Sequence, residues 1–197
     1  MEPDTDRRSF LSFAIFGLGA VFSAILGVPI VAYVIDPRHR KGPKGSFKPV
    51  EGIDLGKLVD NSPKQGVIRD VRVDGWTLYP NDVIGRVWVV KLGARPANFA
   101  NVTQAEKDAY LRVFTTICPH LGCSVNLNSE GDGFACPCHA ATFDKQGDRE
   151  AESNPALRSM DTLKWEFDET DPEHNRIVVE YKSFVTSIEE KKSTTGE

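Results

Sequence analysis

Cys118-Pro119-His120-Leu121-Gly122-Cys123, followed by Cys136-Pro137-Cys138-His139 with 15 residues between His120 and Cys136, is the stretch from which the rest of the chain is read. All four cysteines of the 197-residue sequence fall within these 21 positions, beside two of its four histidines. Proline in both groups, with glycine in the first, marks them as turn-rich loops. The segment between them, Asn126 to Phe134, reads as hairpin-like. Two thiolates and two imidazoles can bind zinc or an iron–sulfur cluster. A plain zinc site takes four ligands and leaves two of these cysteines without a role.

The order Cys-x-His-x-Gly-Cys, then Cys-x-Cys-His, resembles the Rieske iron–sulfur proteins. With its second cysteine in each loop, it is similar to the Rieske subunit of quinol–cytochrome c reductases, the cytochrome bc complexes. That resemblance implies one 2Fe–2S cluster, with Cys118 and Cys136 on one iron and His120 and His139 on the other. It implies a disulfide between Cys123 and Cys138, which needs an oxidising compartment. The implied fold is mostly β: an antiparallel β-sandwich head with a small cluster-binding subdomain, plus one N-terminal transmembrane helix. The implied activity is electron transfer from quinol to a cytochrome c-type haem, in a membrane complex with cytochrome b and cytochrome c-type subunits. His139 is then the hydrogen-bond partner of the quinol and His120 its exposed neighbour. A proline-containing loop covers the cluster in this family, and Asn154-Pro155-Ala156-Leu157 is the counterpart. Leu121 shields one side, and Gly122 permits a tight turn where a side chain would meet the cluster. Replacing two thiolates by neutral imidazoles makes the cluster less negative, so its potential lies above that of all-cysteine ferredoxins.

After His139 the sequence reads Ala140-Ala141-Thr142-Phe143-Asp144. High-potential members of the family carry Ser at the position of Ala141 and Tyr at that of Phe143. Their hydroxyls donate hydrogen bonds toward cluster sulfur and stabilise the reduced form. Lacking both, this chain is expected in the lower or middle part of the Rieske range of about −150 to +300 mV. That suits menaquinol better than ubiquinol. Thr142 is expected to point elsewhere.

Upstream, Ser9 to Ile35 is 27 residues without a charge, 20 of them apolar. At ~1.5 Å per residue this reaches about 40 Å, enough for a hydrocarbon core about 30 Å thick. The stretch exceeds a signal h-region and no Ala-x-Ala site closes it, so a retained anchor is expected. Arg7-Arg8-Ser9-Phe10-Leu11 before it resembles a twin-arginine export signal of a bacterium. This places residues 1–8 in the cytoplasm, residues 9–35 in the cytoplasmic membrane and the head on the outer side. Arg38, Arg40, Lys41, Lys44 and Lys48 on the far flank argue the other way, but large domains translocate largely regardless of flanking charge.

Residues 36–49, with three prolines and a net charge of +4, read as a flexible basic linker. The remainder carries 17 basic against 24 acidic residues, so the formal net charge of −4 hides an acidic head. Such acidity argues against a nucleic-acid partner. Within the head, residues 50–185 with cluster loops 118–144, strands are expected at Val67–Val73, Val83–Leu92, Arg112–Ile117, Leu163–Phe167 and Ile177–Val185. Thr103-Gln104-Ala105-Glu106 fits a capping box opening a helix to Tyr110. Residues 186–197 are polar and expected to be disordered. The alternatives are a Rieske subunit of another exported oxidoreductase such as an arsenite oxidase, a soluble Rieske ferredoxin and a structural zinc domain.

Overall fold

The computed structural model describes residues 5–39, 46–74, 76–96 and 102–194. The chain divides into two units, residues 1–42 and 43–197. The first is built on helix α1, Thr5–His39, which over Arg7–Val34 is long and apolar enough to cross a membrane. Arg7 and Arg8 lie inside this helix, and the helix continues through Pro29 to His39. Residues 1–4 and 40–45 lie outside the described residues. The expected linker is therefore helical at its start, and its end already belongs to the head.

The second unit contains strands β1 (Phe47–Glu51), β2 (Lys64–Asp74) and β3 (Thr77–Lys91), helix α2 (Gln104–Tyr110), and strands β4 (Leu111–Thr115), β5 (Asn126–Leu127), β6 (Gly133–Cys136), β7 (Ala141–Asp144), β8 (Trp165–Phe167) and β9 (Ile177–Glu180). Among the described residues, the larger sheet has the order β4-β3-β2-β1-β9-β8, with every neighbouring pair antiparallel. Its two ends meet. Leu163 N–H donates to the Val113 carbonyl at 2.7 Å and Thr115 N–H to the Asp161 carbonyl at 3.0 Å, so the sheet nearly closes on itself. Inside lie Ile68, Val87, Val89, Leu111, Val113, Trp165, Ile177 and Val179, all buried. These are the β-branched and aromatic positions that make the segments read as strands. The Trp165 indole N–H reaches the Leu111 carbonyl at 3.1 Å, which satisfies its one polar atom within the core.

Two features depart from the sequence expectation. Pro49 argues against a strand, yet β1 lies inside the sheet. It pairs with β9 through Phe47–Pro49 and with β2 through Val50 and Glu51. Pro49 sits where the strand changes partners, so its missing N–H breaks no ladder on the β2 side. Residues 186–194 are not a disordered tail. Val185 N–H donates to the Lys192 carbonyl at 2.8 Å and Thr194 N–H to the Ser183 carbonyl at 2.9 Å. Their composition is polar because their anchoring is by hydrogen bonds rather than by apolar burial. Helix α2 begins as read: the Thr103 hydroxyl accepts from Glu106 N–H, and the Glu106 carboxylate accepts from Thr103 N–H.

Candidate functional site

The smaller sheet, β5-β6-β7, carries the two cysteine–histidine loops. It packs on a second apolar cluster formed by Trp88, Val90, Phe114, Val125, Phe134, Phe143, Ala156 and Met160, into which Cys118 and Cys136 are also buried. Phe134 is its centre, with ring centroids 5.2 Å from both Trp88 and Phe114. The Trp88 indole N–H donates to the Val125 carbonyl at 3.1 Å and fixes the strand that leaves the first loop.

The first loop closes on itself. Cys118 N–H donates to the Cys123 carbonyl at 2.8 Å, and Gly122 N–H to the Cys118 carbonyl at 2.9 Å. Gly122 has φ +81°, which glycine alone adopts without strain. A Cβ there would meet only the Thr186 methyl at 3.9 Å among protein atoms, so backbone conformation, not crowding within the protein, calls for glycine. The second loop leaves β6 at Cys136, which pairs with Ala141 on β7. Ala140, at φ +56°, turns the chain back after His139. A non-glycine residue there costs about 1–2 kcal/mol. The sequence carries no signal of that strain.

The structure brings the loops together. Cys123 and Cys138 form a disulfide. The Cys136 sulfur lies with both disulfide sulfurs inside a 4.8 Å group, but those two are spent on each other and cannot ligate. Cys118 and Cys136 are free thiols, 0% and 2% exposed. Burial pushes the Cys118 thiol up to about 11. The nearby backbone N–H groups of His120 and Leu121 act against that rise, and the neighbouring Cys136 thiol adds to it. The His120 and His139 rings stand edge to face, with centroids 4.8 Å apart. His139 is exposed and His120 half-buried. Two buried soft donors and a pair of adjacent imidazoles thus sit on two loops held by a covalent tie. That donor set fits a metal group with unlike ends, and a thiol must lose its proton to bind it.

The surrounding positions fall as follows. Ala141 and Phe143 are fully buried in the same apolar cluster as the two free thiols. Thr142, one residue on, is half-buried and faces the other side of β7. Pro155 is half-buried between buried Asn154 and Ala156. The Asn154 amide donates to the Thr142 carbonyl and its oxygen accepts from Ala156 N–H at 3.0 Å, which pins this third loop to β7. Leu121 is 55% exposed beside His120. Sequence reasoning named Asn154 only as part of the covering loop and missed Arg158 and Ser187. Nothing in their local sequence marks them, because their partners lie on other segments.

Residues 81–164 match the family described as Rieske [2Fe-2S] domain. Among curated proteins, the chain is 27% identical over 166 residues to the menaquinol:cytochrome c reductase iron-sulfur subunit of Bacillus subtilis, spanning 83% of this chain and 87% of that one. It is 24% identical over 163 residues to the subunit of the same description from Geobacillus thermodenitrificans, spanning 81% and 85%. It is 28% identical over 144 residues to the cytochrome b6-f complex iron-sulfur subunit of Chlorobaculum tepidum, spanning 73% and 62%.

Proposed function

The chain carries a Rieske [2Fe–2S] domain, and from that premise we propose that it is the membrane-anchored Rieske subunit of a quinol–cytochrome c oxidoreductase, which takes an electron with a proton from quinol and passes the electron to a c-type haem. The observation that carries this reading is that buried free Cys118 and Cys136 and the adjacent rings of His120 and His139 lie on the same two disulfide-tied loops. Cys118 and Cys136 hold one iron, and His120 and His139 the other. The bound 2Fe–2S cluster supplies one-electron chemistry at a potential raised by its imidazole ligands. Burial of the two cysteines keeps water from the sulfur side. The exposed His139 presents its remaining ring nitrogen to the quinol, accepts the hydrogen bond and takes the proton there. His120 stands beside it, and exposed Leu121 forms the apolar rim of the docking tip. Pro155 and Gly122 belong to the loops that enclose the cluster.

Menaquinol is the quinol this site suits. The buried Ala141 and Phe143 offer no hydroxyl to cluster sulfur, which favours a potential in the lower or middle Rieske range. The Bacillus and Geobacillus relatives are by name menaquinol:cytochrome c reductase subunits. The partners are cytochrome b and cytochrome c-type subunits and the lipid bilayer. The Arg7-Arg8 motif and the disulfide support a head on the outer face of a bacterial cytoplasmic membrane, with the N-terminus inside.

Two measurements test this. The dithionite-reduced full chain should show the EPR spectrum of a histidine-ligated 2Fe–2S cluster, and His139→Ser should abolish it. Purification from membranes should bring down a cytochrome b, and that complex should reduce cytochrome c faster with a menaquinol analogue than with a ubiquinol analogue. A cluster-bearing chain that copurifies with a molybdenum enzyme and no cytochrome b would overturn the assignment.

A further inference from the structure

From Val71 to Asp82 the β2–β3 hairpin pairs, among the described residues, only with itself. Strand β1 begins at its foot: Val50 pairs with Ile68, and the Lys48 ammonium meets the Asp70 carboxylate at 2.8 Å. From there β2 runs on through Val71–Asp74, which carries the hairpin about 13 Å further. The hairpin is thus a finger at the end of the head where the chain arriving from α1 enters at Phe47. The first cluster loop leaves the larger sheet toward the same end. Val87 pairs with Thr115, Thr116 N–H donates to the Arg86 carbonyl, and Cys118 follows.

The finger has two unlike faces. Arg72 pairs with Tyr79, Val73 with Leu78 and Asp74 with Thr77. Directly opposed residues share a face, and successive residues alternate between faces. On the polar face the Arg72 guanidinium donates to Asp82 and, at 3.2 Å, to Asp74, and lies 4.6 Å from the centre of the Tyr79 ring. On the other face Val73 and Leu78 are 64% and 61% exposed, and Trp76 at the turn is fully exposed. Val71, at the register shift, is exposed as well. None of these joins either apolar cluster of the head. Single apolar side chains are ordinary on a surface, but here they stand together at one tip with nothing of the head over them.

We propose that this finger lies in the interfacial layer of the bilayer that α1 crosses. Two observations choose lipid as the occupant. Trp and Tyr beside aliphatic side chains, with a polar face whose charges are already matched, are the composition that settles at a membrane–water interface. The covalent path from His39 to Phe47 also spans at most about 28 Å, which leashes this end of the head to the anchor whatever the arrangement of the two units. Lipid contact at the finger holds the end of the head that bears the first cluster loop at the membrane surface, where a lipid-soluble quinol arrives. The inference rests on the membrane-anchored reading above.

The chain's three tryptophans make the test specific: Trp88 and Trp165 are buried, and Trp76 alone is exposed. The full-length holoprotein is reconstituted into phosphatidylcholine–phosphatidylglycerol vesicles with and without bromine on the acyl chains, and flotation reports insertion. Bromolipid should quench the Trp76 share of the emission, and Trp76→Phe should remove that quenchable share. Val73→Thr with Leu78→Thr keeps β-formers in the ribbon and removes its apolar face. That variant should lose bromolipid quenching and open Trp76 to aqueous acrylamide, with the melting temperature of wild type. Floating protein that keeps its Rieske EPR signal but shows no bromolipid quenching overturns the inference while the anchor and cluster readings stand. Protection of Trp76 that arises only with cytochrome subunits present assigns the finger to a protein partner and overturns it too. Protein that does not float overturns the anchor reading and the inference with it.

Discussion

Removing the disulfide by Cys123→Ala with Cys138→Ala gives a stability change whose size follows from the chain. The bond joins residues 15 apart. Closing a loop of about 15 residues removes roughly 10 cal/mol/K from the unfolded ensemble, which is about 3 kcal/mol at 25 °C. For a protein of this size each kcal/mol moves the melting temperature by about 2–4 °C, so the double variant should melt about 6–12 °C lower. The loss should depend on the cluster. In the proposed ligand set, Cys118, His120, Cys136 and His139 bridge the same two loops once the cluster is bound. The unfolding that exposes the disulfide loop must then also break metal–ligand bonds. Thermal unfolding by circular dichroism, with and without prior removal of iron by a chelator, separates the cases. The expected result is the full drop in stripped protein and a smaller one in loaded protein. A stripped double variant that melts with stripped wild type would refute the loop-closure reasoning and mean that packing around Phe134 alone holds the loops.

Three further outcomes follow from other contacts. Ala141→Ser should raise the midpoint potential, since Ala141 is buried with the two free cysteines, whereas Thr142→Ala on the opposite strand face should not move it; voltammetry of the pair checks both signs. Arg158→Met leaves the Asp161 carboxylate buried without its partner, which should destabilise by about 3–5 kcal/mol, and Arg158→Met with Asp161→Leu should recover much of it in chemical denaturation. The carboxyls of Asp70, beside the Lys48 ammonium, Asp82, beside the Arg72 guanidinium, and Asp168, held by Thr170, all lie below the usual carboxylate range. Their folded values are depressed, so their contribution is complete above their unfolded values of about 4 and is lost as pH falls through the lower folded ones. Melting temperature should therefore fall only below about pH 4, and a decline already complete at pH 5 would contradict this assignment.

The loops were legible because their chemistry is local. Four ligand-type residues at fixed spacing, a glycine needing positive φ and paired cysteines are properties of short segments, and short segments are what a sequence displays. The apolar run of α1 and the capping box of α2 were legible for the same reason. Strand β1 was not, because Pro49 disfavours a strand by itself and is tolerated only where β1 changes partners from β9 to β2. The last segment was not legible either. Residues 186–194 are as polar as a disordered tail, and only their contacts with Pro119, His120 and Arg158 distinguish them from one.

The sequence by itself determined the proposed ligand residues, the two loops that bear them, the apolar helix and the missing hydroxyls at Ala141 and Phe143, since each depends on residue identity and near spacing. Tertiary structure alone decided the nearly closed sheet, the apolar cluster that buries Cys118 and Cys136, and the placement of Ser187 behind the first loop. Those depend on hydrogen bonds and packing between segments tens of residues apart, for which no local pattern in the chain has to be paid.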